Sequence, residues 1–183
     1  MTLFAGYRAA LDGERTDIQG HLPLLYQEVA DRPGAVVIEL GVRTGQSTGA
    51  FLAAIEAVGG ELWSADITPP AVPAWWHGLE FWHFTSGDDL HPAVTAALPA
   101  QCDVLFIDTS HEYDHTLEEL RTYVPRIRPG GTGLFHDTQF FPPGHDCGKP
   151  QGDVARALGT YCAETGLSWQ NRAGWYGMGV LRR

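Results

Sequence analysis

Two short segments hold the side chains best suited to chemistry, Asp108-Thr109-Ser110-His111 and His136-Asp137. Carboxylates and imidazoles arriving together are donors that a divalent cation takes, and an imidazole that titrates near neutrality can move a proton. Further acidic groups, Glu39, Asp66 and the run Gly87-Asp88-Asp89, also stand at the ends of apolar stretches. Strand ends favour Asp, Ser and Thr as helix caps, which accounts for some of these positions singly. It does not account for Asp108, His136 and Asp137 together. Residues 111–115, HEYDH, also spell HExxH, which on a helix sets two imidazoles on zinc with Glu112 as base.

The elements that must hold these residues read as strands alternating with helices. AVVIEL (35–40), ELWSAD (61–66), LEFWHF (79–84), CDVLFID (102–108) and TGLFHD (132–137) are short apolar runs of the kind buried in a parallel sheet. Helical stripes run through Ile18, Leu22, Leu25, Tyr26 and Val29, and through Phe51, Leu52, Ile55 and Val58 with Gly59-Gly60 as a stop. A short helix is expected around 91–98, and another carries Tyr113, Leu117, Leu120, Val124 and Ile127, with Pro125 ending or kinking it. Asp153 is placed to cap a helix bearing Val154, Leu158, Tyr161 and Cys162 that stops at Gly166. The C-terminal LSWQNRAGWYGMGVLRR predicts two strands about a turn at 171–174, and the Pro/Gly-rich 138–152 offers a lid or substrate loop. The pattern predicts one domain over 1–183: an N-terminal helical segment, 1–34, and an open α/β core, 35–183, with helices on both faces of a mostly parallel sheet. In such sheets ligands bind at the carboxyl ends of the strands, where the acidic groups lie.

Composition narrows the partners. The chain has 183 residues, 44% hydrophobic and 11% aromatic, enough for a packed core. Its 12 basic against 22 acidic residues give a net charge of −10, and Lys149 is the sole lysine, which argues against nucleic acid. No apolar run approaches a membrane span, and MTLFAGYRAALDGERTD lacks the features of a secretory leader, so a cytoplasmic protein is expected. Cys102, Cys147 and Cys162 are odd in number and outside any CxxC spacing, so reduced thiols are expected. Trp82 reads as core, while Trp75 and Trp76 are open between core and pocket wall; His21 and His115 read as surface or capping groups. Apolar N-terminal helix residues offer a surface through which a homodimer could form.

The turn after the first strand, Gly41-Val42-Arg43-Thr44-Gly45-Gln46-Ser47-Thr48, can be tested against known glycine loops. A phosphate-cradling P-loop needs GxxxxGK[ST], whereas the spacing here is GxxxG with Gln46 in the lysine's place. The dinucleotide pattern GxGxxG also fails, because Arg43 occupies the second glycine. Such a turn suits a cofactor without a pyrophosphate, and Asp66, ending the second strand, is placed to accept hydrogen bonds from ribose hydroxyls.

ELGVRTGQST, SADI, SGDDL, FIDTSHEY and PGGTGLFHD, in this order, resemble the successive motifs of class I S-adenosylmethionine-dependent methyltransferases. More narrowly they resemble the metal-dependent small-molecule O-methyltransferases, the natural-product sugar group and the relatives of catechol O-methyltransferase. The resemblance spans about residues 17–181. It implies a Rossmann-like seven-stranded sheet of order 3-2-1-4-5-7-6 with strand 7 antiparallel. It implies that Glu39, Gly41, Val42, Gly45 and Ser47 line the methionine part of S-adenosylmethionine, Asp66 its ribose, and Asp88 and Asp89 the region of the adenine, with Thr44, Ile67 and Gly87 also binding the cofactor. Asp108 then joins the cofactor and metal sites. Asp108 and Asp137 match the family's metal carboxylates, with His136 and Thr138 at neighbouring positions where the family varies. Oxygen ligands of this kind suit Mg²⁺ or another divalent cation.

The expected chemistry is methyl transfer to a hydroxyl of a small molecule, a sugar or phenolic moiety of a secondary metabolite. Asp108 and Asp137 hold the cation, and His111 removes the hydroxyl proton; the relatives of catechol O-methyltransferase often carry lysine at that position. The alternatives are a non-catalytic cofactor-binding protein on this fold and a metal enzyme of other chemistry, the HExxH peptidase or a hydroxylase-type relative.

Overall fold

The computed structural model describes residues 2–13, 16–139, 152–174 and 176–183. Seven strands form one sheet: β1 Ala35–Leu40, β2 Gly60–Asp66, β3 Trp82–Ser86, β4 Cys102–Ile107, β5 Ile127–His136, β6 Trp169–Arg172 and β7 Met178–Arg182. Their order is β3-β2-β1-β4-β5-β7-β6; β1 to β5 pair in parallel, and β7 is antiparallel to both β5 and β6. This is the Rossmann-like sheet that the motif order implied.

Successive strand residues face opposite layers, as the period of two requires. Val37 and Phe106 pack with helices α1 Leu3–Asp12, α2 Leu22–Ala30 and α3 Gln46–Val58. Ile38 and Leu105 pack with α4 Pro92–Ala97, α5 Tyr113–Tyr123 and α6 Asp153–Thr165. Both faces of β1 and β4 are therefore covered, and their carboxyl ends become the floor of the site.

Several boundaries differ from expectation for local reasons. The apolar run at 79–84 does not pair throughout, because a 3-10 turn, Ala74–Gly78, takes the amide of Leu79 onto Trp76; pairing with β2 begins at Trp82 and extends to Ser86. The stripe from Tyr113 stops at Tyr123, where Val124-Pro125-Arg126 forms a 3-10 turn, so Ile127 belongs to β5. Gly152, left-handed at φ 78°, caps α6, and Asp153 is its first residue. The terminal turn lies between Arg172 and Met178, since Asn171 and Arg172 pair with β7.

The stripe of 18–29 splits into a 3-10 turn, Gln19–His21, and α2, with Pro23 in the first turn of the latter. Ile18, Leu22, Leu25 and Val29 are buried in the core. Helix α1 falls within the N-terminal helical segment expected over 1–34, ahead of the stripe at 18–29; Thr2 caps it, and Leu3 and Tyr7 are buried in the core. Trp82 and Trp76 are buried, whereas Trp75 is 47% exposed. Of the 138–152 loop, 140–151 lie outside the described residues. Among the described residues no helix is long and apolar enough to cross a membrane.

Candidate active site

Backbone constraint places the first wall. Gly41 follows β1 at φ 89°, and a Cβ there would lie 2.0 Å from the carbonyl oxygen of Asp108, so only glycine lets the β1–α3 loop meet the β4–α5 loop. Gly45, also left-handed, starts α3. Below them Glu39 is fully buried and accepts hydroxyl hydrogen bonds from Ser47, Thr48 and Ser64. Burial raises its carboxyl to about 7 against those bonds. Glu39 thus holds the loop from beneath and is not at the cavity surface.

Asp66 also braces this loop. Its Oδ2 accepts the amides of Val42 at 2.8 Å and Arg43 at 2.9 Å, while Oδ1 accepts the amide of Thr68 at 2.9 Å. Burial works to raise its pKa, but the amides of Thr68, Arg43 and Val42 win and keep it below the ordinary carboxylate value.

A cavity of about 860 Å³ opens above the strand ends. Gly41, Val42, Thr44, Ser47, Asp108 and His111, all singled out by sequence, line it. Gly45 and Asp66 are not among its lining residues. Ile67 is 74% exposed, Gly87 packs close to Val94, and Asp88 caps the amide of Leu90. Asp89 turns away from the cavity: its carboxyl is buried against His115. Thr16, Asp17, Ile18, Arg43, Gln46, Thr109 and Tyr176 complete the wall and were not foreseen. Arg43 and Gln46 were legible as members of the glycine turn. Tyr176, at φ 65° after β6, carries no signal in one sequence.

At one side of the cavity Asp108, His111, His136 and Asp137 converge, their donor atoms all within 4.8 Å of one another. His111 Nε2 lies 2.8 Å from Asp108 Oδ1 and 2.7 Å from Asp137 Oδ2. His136 Nδ1 lies 3.4 Å and 3.6 Å from the same two oxygens. Burial would raise both carboxyls, but the imidazoles hold Asp108 and Asp137 far below the usual carboxylate range. Burial likewise opposes charge on the imidazoles, yet the carboxylates raise His111 and carry His136 up to about 10. His21, expected as a surface or capping group, stands at the N-cap position of α2 and is buried with its ring edge-on to His136, centroids 5.7 Å apart.

The donor set fits a divalent cation. The other nitrogen of His136, Nε2, lies 3.3 Å from the carbonyl of Asp17, while Nδ1 is buried without a hydrogen bond and faces two carboxylates. That is the arrangement of a ligating histidine whose second nitrogen is fixed by the backbone. The carboxylates suit Mg²⁺, and the imidazoles extend the fit to Mn²⁺ and Zn²⁺.

The HExxH reading fails on backbone geometry. Helix α5 begins at Tyr113, Glu112 is its exposed cap, and His111 stands before it at φ 62°. The two imidazoles therefore do not share a helical face. His115, expected as a surface or capping group, is only 26% exposed and bonds Asp89.

A methyltransferase-domain family model matches residues 38–138, more than half of the chain, from the second half of β1 through the end of β5. No curated protein matches in sequence. Among solved structures, the SAH-bound Podospora anserina methyltransferase PaMTH1 superposes with a TM-score of 0.72 at 14% identity, over 98% of this chain and 86% of that one. An O-methyltransferase from Bacillus cereus in complex with SAH gives 0.68 at 14% identity, over 99% and 89%. MycE methyltransferase of the mycinamycin biosynthetic pathway, in complex with Mg, SAH and mycinamycin VI, gives 0.67 at 16% identity; 99% of this chain covers 52% of that one, so the chain spans about half of MycE. The chain belongs to the methyltransferase-domain family and is a class I S-adenosylmethionine-dependent methyltransferase.

Proposed function

We propose that the chain is a metal-assisted O-methyltransferase acting on a hydroxyl of a small molecule, a sugar or phenolic moiety of a secondary metabolite. The observation that carries this reading is the convergence of Asp108, His111, His136 and Asp137 at the rim of the cavity that the glycine loop lines. A Bacillus cereus O-methyltransferase and the mycinamycin-pathway enzyme among the structural neighbours are in keeping with it.

S-adenosylmethionine supplies an electrophilic methyl group, and a divalent cation bound by Asp108 and Asp137 supplies a positive charge that acidifies and orients a hydroxyl. The remaining work falls to the chain. Gly41, Val42, Thr44 and Ser47 shape the cofactor's side of the cavity, with Glu39 and Asp66 fixing their backbone. Asp17 and Tyr176 line the same space from the N-terminal segment and the β6–β7 turn. His111 Nε2 receives the hydroxyl proton once the oxygens of Asp108 and Asp137 are no longer committed to holding its own. The net step forms one C–O bond, breaks one C–S bond and releases one proton.

The test is methyl transfer from S-adenosylmethionine to a panel of sugar and phenolic acceptors, with and without chelator. Product formed on oxygen, lost with chelator and restored by Mg²⁺ or Mn²⁺, is expected. Undiminished transfer in chelator would remove the cation from the mechanism, and products methylated only on nitrogen or carbon would overturn the acceptor class.

A further inference from the structure

Helix α5 carries His115 and Glu119 four residues apart on one face, and both point away from the cavity. The loop after β3 brings Asp88 and Asp89 to them. Donor atoms of Asp88, Asp89 and His115 lie within 4.8 Å of one another. His115 Nε2 is 3.1 Å from Asp89 Oδ1 and 3.4 Å from Glu119 Oε1. His115 Nε2 and Asp89 Oδ1 form a hydrogen bond at 3.1 Å, and since ligands ~2.1 Å from a tetrahedral ion stand ~3.4 Å apart, the same separations also accommodate a zinc-type shell.

A second observation concerns atoms that need a partner. Glu119 has no exposure and Asp89 only 6%, and Oε2 of Glu119 and Oδ2 of Asp89 find no donor among the described residues beyond a proton shared between the two carboxyls. Two buried carboxyl groups beside one imidazole hold together only with additional positive charge, a proton or a cation, between them. The group is also well fixed: Thr95 and Tyr123 bond the Asp89 carbonyl, and Thr109 donates to Glu119 Oε1 at 2.6 Å. Solvent reaches it on the side of Asp88, which is exposed, and of His115.

We propose that Asp89, His115 and Glu119, with Asp88 at the rim, form a second divalent-cation site of the zinc class, separate from the cluster at Asp108 and Asp137. The imidazole ligand selects an ion such as Zn²⁺ over Mg²⁺. Through Thr109 the site abuts Asp108, so its ion stiffens the loop on which the first cluster is built. The inference does not depend on the methyl acceptor.

The experiment is calorimetric titration of Zn²⁺ into the full chain carrying Asp108→Asn and Asp137→Asn, with thermal unfolding as a second readout. One equivalent is expected to bind and to raise Tm. Adding Glu119→Gln, which keeps an acceptor for Thr109, or His115→Gln is expected to weaken that binding at least tenfold. No Zn²⁺ bound by the first variant, or binding indifferent to both further substitutions, would overturn the site. Should the first variant not fold, the unaltered chain decides: two equivalents of Zn²⁺ support the site and one overturns it.

Discussion

His111 and His115 are four residues apart, yet their imidazoles enter two different carboxylate clusters: His111 between Asp108 and Asp137, His115 between Asp89 and Glu119. The helix that would have aligned them starts two residues after His111, whose own backbone is left-handed. Thr109 connects the clusters, since it follows Asp108 and donates to Glu119.

Glu112 is therefore expected to be idle. A peptidase of the HExxH kind needs that carboxylate as its base, whereas here it is an exposed cap residue whose side chain makes no capping bond. Glu112→Gln should leave the rate of methyl transfer within about twofold of the parent, because surface changes away from a site cost little. A loss beyond tenfold at unchanged stability would restore Glu112 to the chemistry.

The first cluster should behave as a unit. Asp137→Asn removes one of the two carboxylates that neutralise His111 and His136, so both cation affinity and turnover are expected to fall ~100-fold or more. Circular dichroism should be unchanged, because Asn preserves volume. Cation titration together with methyl transfer checks this, and retention of both within threefold would contradict it.

Glu39 should leave a mark on stability between pH 4.5 and about 7. Its carboxyl is raised from 4.5 to about 7 by burial, so in that window the folded chain holds a proton that the unfolded chain has released. Stability contributed by Glu39 is then highest below pH 4.5 and declines as pH rises to about 7, by up to ~3 kcal/mol at ~1.4 kcal/mol per unit. Glu39→Gln should remove that decline. Urea unfolding of both proteins at pH 5 and pH 8 measures it; a stability difference between them that does not change with pH would contradict the assignment.

Most of the sheet was legible because buried parallel strands are written as unbroken apolar runs: β1 begins and ends where AVVIEL does. Where an apolar run also fed a turn, as at Leu79, tertiary pairing decided the boundary. The convergence of Asp108, His136 and Asp137 followed from their places at adjacent strand ends. Which way Asp89 and His115 turn was not legible, because only the packing of the β3–α4 loop against α5 decides it. Asp17 and Tyr176 reach the cavity from distant segments, a relationship no local pattern encodes.

Gly41 offers a direct test of how the site is built. Two penalties meet at this residue: its φ of 89° disfavours any side chain, and a Cβ would overlap the Asp108 carbonyl at 2.0 Å. Gly59 bears only the first, with φ 78° and open space around its Cβ position. Gly59→Ala is expected to cost ~1–3 kcal/mol, because φ 78° with ψ 168° is a backbone conformation open essentially to glycine alone. Gly41→Ala must in addition push the β4–α5 loop outward, so it should cost ~3 kcal/mol or more and depress cation binding through the displaced Asp108. Denaturant unfolding of the two variants separates strain from contact. Equal losses, with cation binding intact in both, would mean that the loop bearing Asp108 is not held by its approach to Gly41.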